Sequence, residues 1–514
     1  MFGFDPLNQR STFIQQSPLG LPLILWLTVM LSVAGLQAYA QNQSGTRIDA
    51  ATNGQVLYSI EVESPTQAFN DERYLTLAEA VAIALERNRE LRATRSDQRA
   101  SEFANWEAIG SYLPQIQFDH TTSETFSELF EFEPDPNAPD LGFDFESVGF
   151  TGTNYTNTFQ LNQLIFDREI IGQIILSDLQ KEAARWQTTG QEQFVVSRTV
   201  VAFLNVLRAV ELLKVQEQRL DLAEEQLDTA QTAFEVGLRI RTDVLRAELT
   251  RSSAMRDVVS AEIAVESAQA TLNNILGIPV DARNRLVSNS LADYTPPQTI
   301  NQTLKEYRRL FNVAAETNPA IKVAQLLVEQ DRESINIARG EFYPRVNFNA
   351  SWGFNEQQSM DFEREEWRWS LGVTVPLFEG GRRVARLQRT EEELNAQMER
   401  YEDTVRSIFE DVEVIALQLQ EEERNLEIAL QAVEVAEENH ERFLNLYQEG
   451  LADSLDVTQA LTELVDAQIN VVTTRYNYLS RYSQLLQSLG TIPLSVEAYA
   501  SQQWLDSAQL QNAP

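Results

Sequence analysis

The sequence has no cysteine among its 514 residues. Disulfides are excluded, so an exported form of this chain takes its stability from packing or assembly. A lipid on an N-terminal cysteine is excluded too, and any membrane attachment must come from the fold. Histidine is almost as scarce: His120 and His440 are the two present, and they fall in separate elements, which leaves no histidine cluster for a metal. A glycine-rich phosphate loop and a Gly-x-Ser-x-Gly elbow are also missing. No cofactor and no enzyme activity are expected. Basic charge is in deficit, with 41 Lys and Arg against 76 Asp and Glu, a net −35. That balance argues against a nucleic-acid partner, because phosphate binding needs clustered Lys and Arg. The negative field favours cationic cargo or, equally, keeps helix faces solvated.

Long hydrophobic runs are absent with one exception, Leu19 to Leu36. Arg10 precedes it and Ala38-Tyr39-Ala40 follows, which reads as a signal peptide over residues 1–40, cut after Ala40. The alternative is an uncleaved anchor, since the run is borderline for a span.

What is present is a duplication. Phe234 to Leu238 matches Tyr447 to Leu451 at an offset of 213, as do Asp243-Val244 with Asp456-Val457 and Leu276-Gly277 with Leu489-Gly490. Leu164-Ile165-Phe166 matches Pro376-Leu377-Phe378 at 212. Upstream, Asn88 matches Asn318, and Leu113 to Ile116 matches Tyr343 to Val346, both at 230. The first half therefore holds extra residues in an acidic stretch within 127–153, read as a long loop. Its run Glu131 to Asp140 lacks the spacing of a calcium loop.

The expected organisation is a polar segment 41–73, a first repeat 74–277 with a β-hairpin at 115–166, a linker 278–300, a second repeat 301–493 with a hairpin at 345–378, and a polar tail 494–514. Helical patterning covers Leu75 to Tyr112, Glu169 to Glu235 and Thr242 to Leu276, then Leu304 to Phe342, Gly381 to Glu449 and Ser454 to Leu489. In the last of these, apolar residues run Leu461, Val465, Ile469, Val472, Tyr476, Leu479, Tyr482, Leu486, Leu489, a coiled-coil spacing. Helices about 100 Å long at 1.5 Å per residue bury such seams only against one another.

The strands alternate. Val346, Phe348, Ala350, Trp352 and Phe354 share one face, and Trp367, Trp369, Leu371, Val373, Val375 and Leu377 share another. In the first half Ile116 and Phe118, then Phe159, Leu161 and Ile165, do the same more faintly. Strands of about ten residues, apolar outside and polar inside, fit a tilted bilayer crossing. An ordinary hairpin on a soluble core is the plainer alternative. Four strands do not close a barrel, and open edges are not tolerated in lipid. Several chains must therefore share one, and three copies, twelve strands, leave room for a lumen.

The paired strand entries at Leu113 to Ile116 and Tyr343 to Val346, the strand-to-helix run Val375 to Arg382, and the two turns with glycine six residues before aspartate resemble the TolC-like outer membrane efflux protein family. The likeness covers about residues 73–493. It implies an α plus transmembrane β fold: a long antiparallel coiled-coil α-barrel below a shared outer-membrane β-barrel, four strands per protomer. It further implies a homotrimer in the cell outer membrane that reaches into the periplasm, in contact with outer-membrane lipid. A periplasmic adaptor and an inner-membrane transporter are the implied partners, for efflux of small molecules or type I protein secretion. A periplasmic coiled-coil scaffold without a barrel is the alternative function.

The resemblance also implies a periplasmic gate at the two turns. Thr242, Asp243, Tyr447 and Asp456 match its residues, with the Tyr447 hydroxyl bonding Asp243. The turn glycines are Gly237 and Gly450; Pro376, Gly380 and Gly381 make the strand-to-helix turn. Two positions depart: Ala452 stands where the family has an arginine, and Gln459 where it has a second ring aspartate, with Asp453 as a substitute carboxylate. Asp243 and Asp456 read equally well as helix caps after a glycine turn.

Overall fold

The computed structural model describes residues 73–128, 149–237, 239–287, 307–357, 362–501 and 503–505. The leader 1–40, nearly all of 41–73, the acidic run Glu131 to Asp140 and much of the linker lie outside the described residues.

The first repeat opens with strand β1 (Arg73–Leu75), helices α1 (Leu77–Arg87) and α2 (Arg89–Gly110), and strands β2 (Gln115–Glu128) and β3 (Gly149–Phe166). Helices α3 (Arg168–Glu235) and α4 (Arg241–Leu276) follow, then β4 (Asn284–Leu286). The second repeat runs α5 (Tyr307–Thr317), α6 (Pro319–Gly340), β5 (Arg345–Gln357), β6 (Phe362–Thr374), α7 (Arg382–Gln448) and α8 (Ser454–Leu489). Helix α9 (Val496–Ala500) and a 3-10 turn (Gln503–Leu505) close it. Among the described residues no helix is long and apolar enough to cross a membrane.

The sequence predicts one helix from Leu75 to Tyr112 and one from Leu304 to Phe342; each is two helices. The break falls at Asn88 and at Asn318, and capping is the cause. Asn88 Oδ1 accepts from the Leu91 amide at 3.0 Å, and its Nδ2 donates to the Ile275 carbonyl at 2.8 Å. Asn318 Oδ1 accepts from the Ala320 amide at 2.8 Å, and its Nδ2 donates to the Ser488 carbonyl at 2.7 Å. One side chain thus satisfies an orphan donor of the helix it starts and an orphan acceptor of a helix that ends beside it. Those ends are Gly277 and Gly490, both left-handed at φ 69° and 76°.

A wide apolar cluster surrounds these joints, built from α1, α3, α4, α5, α7, α8 and α9. The expected α8 stripe is its spine: Tyr476, Leu479, Tyr482, Leu486 and Leu489 are buried. Leu461 and Val465 are buried further along with Val215, and Ile469 and Val472 pack beside them. The tail departs from its polar reading. Tyr499 and Trp504 are fully packed, their rings 6.0 Å apart, with Trp504 also against Tyr482. A few apolar residues are too sparse for a periodic signal, yet two aromatic rings bury a large area. Part of the expected linker also departs: β4 pairs in parallel with β1, Tyr74 opposite Arg285.

Above the joints, α2 packs on α3, α3 on α6, and α6 on α7. Their far ends carry a four-stranded antiparallel sheet in the order β2-β3-β5-β6. Below, α3 pairs with α4 and α7 with α8, and α8 lies on α3.

A Cβ at Gly490 would stand 2.6 Å from the Thr317 carbonyl oxygen, whereas one at Gly237 would meet nothing within 4 Å. Gly237→Ala should therefore cost only the left-handed strain, about 1–2 kcal/mol. Gly490→Ala should cost clearly more, read as a larger fall in the melting temperature of the helical circular-dichroism signal.

Candidate functional site

Two surfaces are the candidates: the faces of the sheet, and the tips of the two long hairpins. In the sheet, the register aligns apolar residues across strands. Phe118 is opposite Phe159, Phe159 opposite Trp352, and Trp352 opposite Trp367. Rings 118 and 159 lie 4.7 Å apart, and 159 and 352 stack at 5.6 Å. The next row is Ile116, Leu161, Ala350 and Trp369. The opposite face carries Gln117, Gln160, Ser351 and Arg368, one behind another in the same ladders. Among the described residues nothing covers the apolar face: Ile116, Phe118, Trp352, Trp367 and Trp369 are all exposed. On that face the Trp352 indole donates to Glu365 at 2.8 Å.

Two details differ from the alternation read in sequence. Ile165 does not continue the face of Phe159 and Leu161: the register shifts between Leu164 and Phe166, so Phe166 comes opposite Val346. A bulge re-aims the strand just before α3 begins. β6 also ends at Thr374, short of Phe378. Pro376 has no amide for the ladder and fixes its own φ. Gly380 and Gly381 then turn the chain at φ 63° and 83° into α7. Leu377 and Phe378 are left 90% and 86% exposed.

At the tips, each hairpin turns through a left-handed glycine, Gly237 at φ 78° and Gly450 at 80°. The helix starts that follow use their aspartates differently. Asp456 is a cap: it accepts from the Asp453 amide at 3.2 Å, while Asp453 accepts from the Leu455 amide at 2.5 Å, a reciprocal capping box. Asp243 caps nothing; α4 has no side-chain cap bond. It is buried and accepts from the Ser454 hydroxyl at 2.9 Å, which ties the start of α4 to the start of α8. Its place in the first turn of α4 also suits a negative charge. Thr242 is exposed on that turn.

The Tyr447 to Asp243 bond expected from the resemblance is not formed. The Tyr447 hydroxyl is buried with no hydrogen-bond partner among the described residues. Burial pushes its phenol above the ordinary range; Arg239 opposes this, and Asp243 and Asp453 add to it. Ser454 has taken the aspartate, and Arg239 has taken the tyrosine. The Arg239 guanidinium lies over the Tyr447 ring at 4.3 Å. Its Nη2 donates to the Tyr447 carbonyl at 2.9 Å and the Ala452 carbonyl at 3.0 Å. A cation there meets orphan carbonyls and the negative end of the α7 dipole.

The turn motif does not single out Arg239, though the duplication carries a signal for it. It stands 213 residues before Ala452, so it is the repeat equivalent of the position where the family's arginine is missing. The arginine sits in the other half of the duplication and reaches across to the same turn. Gln226 adds a link, its amide to the Thr458 hydroxyl at 3.1 Å.

The outer membrane efflux protein family matches residues 80–278 and 298–491, one segment in each repeat. Outer membrane protein TolC of Escherichia coli is 25% identical over 423 residues, 79% of this chain and 80% of that one. Alkaline protease secretion protein AprF of Pseudomonas aeruginosa is 22% identical over 440 residues, 80% of this chain and 83% of that one. The Campylobacter jejuni CmeC outer membrane channel superposes with a TM-score of 0.66 at 16% identity, covering 90% of this chain and 99% of that one.

The tip contacts carry a contrast. Arg239→Ala removes two bonds from a charged donor, each worth about 1.5–3 kcal/mol, and should speed hydrogen exchange in both turns. Tyr447→Phe removes a hydroxyl that bonds nothing among the described residues and should leave that exchange unchanged or slower.

Proposed function

The chain belongs to the outer membrane efflux protein family, an exit duct of the outer membrane that extends into the periplasm, and from this premise we propose that three copies build one conduit. The observation that carries the proposal is the sheet, which among the described residues has four strands, one bare apolar face, one polar face and two free edges. In lipid a free edge leaves amides and carbonyls unpaired at several kcal/mol each, so β2 of one copy pairs with β6 of the next. Three copies give twelve strands with the apolar face to lipid and the polar face to a water-filled lumen. An N-terminal signal over residues 1–40 fits export to that membrane.

The helices continue the lumen into the periplasm, where the tips face a periplasmic adaptor and an inner-membrane transporter. The duct carries small molecules or, in type I secretion, protein, and the energy comes from the transporter. AprF is named for protease secretion, and MdtP of Escherichia coli, 20% identical over 313 residues, for multidrug resistance; both cargo classes stay within the proposal.

The gate is the link between hairpins: Arg239 on the α7 end, and Ser454 on Asp243. Thr242, Tyr447 and Asp456 surround it, with Asp456 fixing the start of α8. These bonds are strong enough to hold a mouth closed and few enough for adaptor contacts to break.

Light scattering on the full chain in mild detergent should give a trimer. A water-soluble monomer would sink the shared barrel. In planar bilayers, Arg239→Ala together with Asp243→Ala should raise single-channel conductance; unchanged conductance would reduce both residues to hairpin packing.

A further inference from the structure

Arginines line one stripe of α2 in a chain of net charge −35. Arg89, Arg92 and Arg99 are exposed there, flanking a cleft of about 640 Å³ with Arg95 and Glu192. Arg95 is tied to Glu192 at 2.7 Å and to the Leu85 carbonyl at 2.8 Å. Arg99 reaches only the Ser96 hydroxyl, at 3.1 Å. Among the described residues no carboxylate of the chain pairs with Arg89, Arg92 or Arg99. The complementary stripe is on α7, where Glu392, Glu399 and Asp403 are exposed and, among the described residues, no cation pairs with them. These are the two outer helices of the row α2, α3, α6, α7, so the stripes lie at opposite edges of one copy.

The duplication says how those edges meet. Within the chain, α3 of the first repeat packs on α6 of the second. Their repeat equivalents are α7 and α2, which belong together only if the next copy supplies one of them. A contact inside the chain thus serves as the template for a contact between copies. On α3 and α6, a Cβ at Gly190 would stand 3.3 Å from Pro319. The offset of 213 carries Gly190 onto Asp403, and the offset of 230 carries Pro319 onto Arg89. The helices are antiparallel, so one turn up α2 and one turn back along α7 bring Arg92 opposite Glu399. Two further turns bring Arg99 opposite Glu392. Every arginine of the stripe meets an acid.

We infer that α7 of each copy docks on α2 of the next through an ion-paired seam: Arg89 with Asp403, Arg92 with Glu399 and Arg99 with Glu392. The seam also selects its partner. The positions of α3 equivalent to the three acids are Gly190, Trp186 and Leu179, which offer the arginines nothing. Charge placed at one edge pair only steers encounter and rejects the wrong pairing. The inference rests on the shared-barrel reading above.

The absence of cysteine makes the test clean. Ser96 lies between Arg92 and Arg99, and Ala396 between Glu392 and Glu399. The full chain carrying Ser96→Cys and Ala396→Cys, oxidised mildly in detergent, should give a reducible dimer and trimer ladder on a denaturing gel, and neither single variant should. Arg92→Glu should lower the temperature at which the trimer dissociates, and adding Glu399→Arg should restore at least half of the loss. A trimer by light scattering with no ladder, or no recovery in the double reversal, overturns the seam while the duct stands. A monomer in light scattering fails the duct itself.

Discussion

Among the described residues, backbone amides and carbonyls along the outer edges of β2 and β6 have no ladder partner, and hydrocarbon supplies none. Much of the remaining architecture follows from how that need is met. A four-stranded sheet has too few strands to curl round on itself. In the proposed assembly a neighbour completes the ladder, and whatever joins the sheets also fixes the helices beneath them. Row order in the helices repeats strand order in the sheet, because each strand runs directly into a helix beside its own neighbour. An edge in the sheet is therefore an edge in the helical layer, and both are left bare in one copy.

Duplication gives the chain two similar halves, and its interest lies where the halves diverge. Asn88 and Asn318 remain the same: each caps a new helix and receives a helix end that finishes in a left-handed glycine. These joints hold the wide part of the core and tolerate little change, since a Cβ at Gly277 or Gly490 meets backbone. The tips and the outer faces have been free to differ. Arg239 faces its own repeat equivalent, Ala452, across the turn. Acids line α7 where α3 has glycine, tryptophan and leucine. Identical halves would leave α2 and α6 with the same preference for α3 and α7. Unequal charge removes that ambiguity.

The hairpin tips show why carboxylates of the same sequence context need not do the same thing. Asp243 and Asp456 each follow a glycine by six residues and open a helix. Asp456 has Asp453 before it, so a reciprocal box forms and the carboxylate is spent locally. Ile240 precedes Asp243 at the corresponding cap and offers no side-chain bond. The freed carboxylate turns to Ser454 on the other hairpin. Local cap and cross-hairpin contact thus divide between the two aspartates.

Periodicity and repetition are local properties, and they were legible in the sequence. The long helices follow from apolar spacing: α3, α4, α7 and α8 begin and end within about two residues of where pattern and glycine put them. The strands of the second half follow from strict alternation, with Pro376 stopping the last one early. The asparagine breaks in the short helices were visible as a repeated residue but not as breaks, because a cap needs an acceptor from a distant helix to hold its other end. The tail's Trp504 gave no pattern at all and is buried because the joint beneath it is open to an aromatic ring. The tip residues are legible as a motif; their partners are not. Whether Tyr447 bonds Asp243, or Ser454 and Arg239 come between them, depends on the distance between two turns more than two hundred residues apart. Sequence spacing along one helix fixes which residues share a face; only the packing of helices on one another decides which faces, and which charges, come within reach.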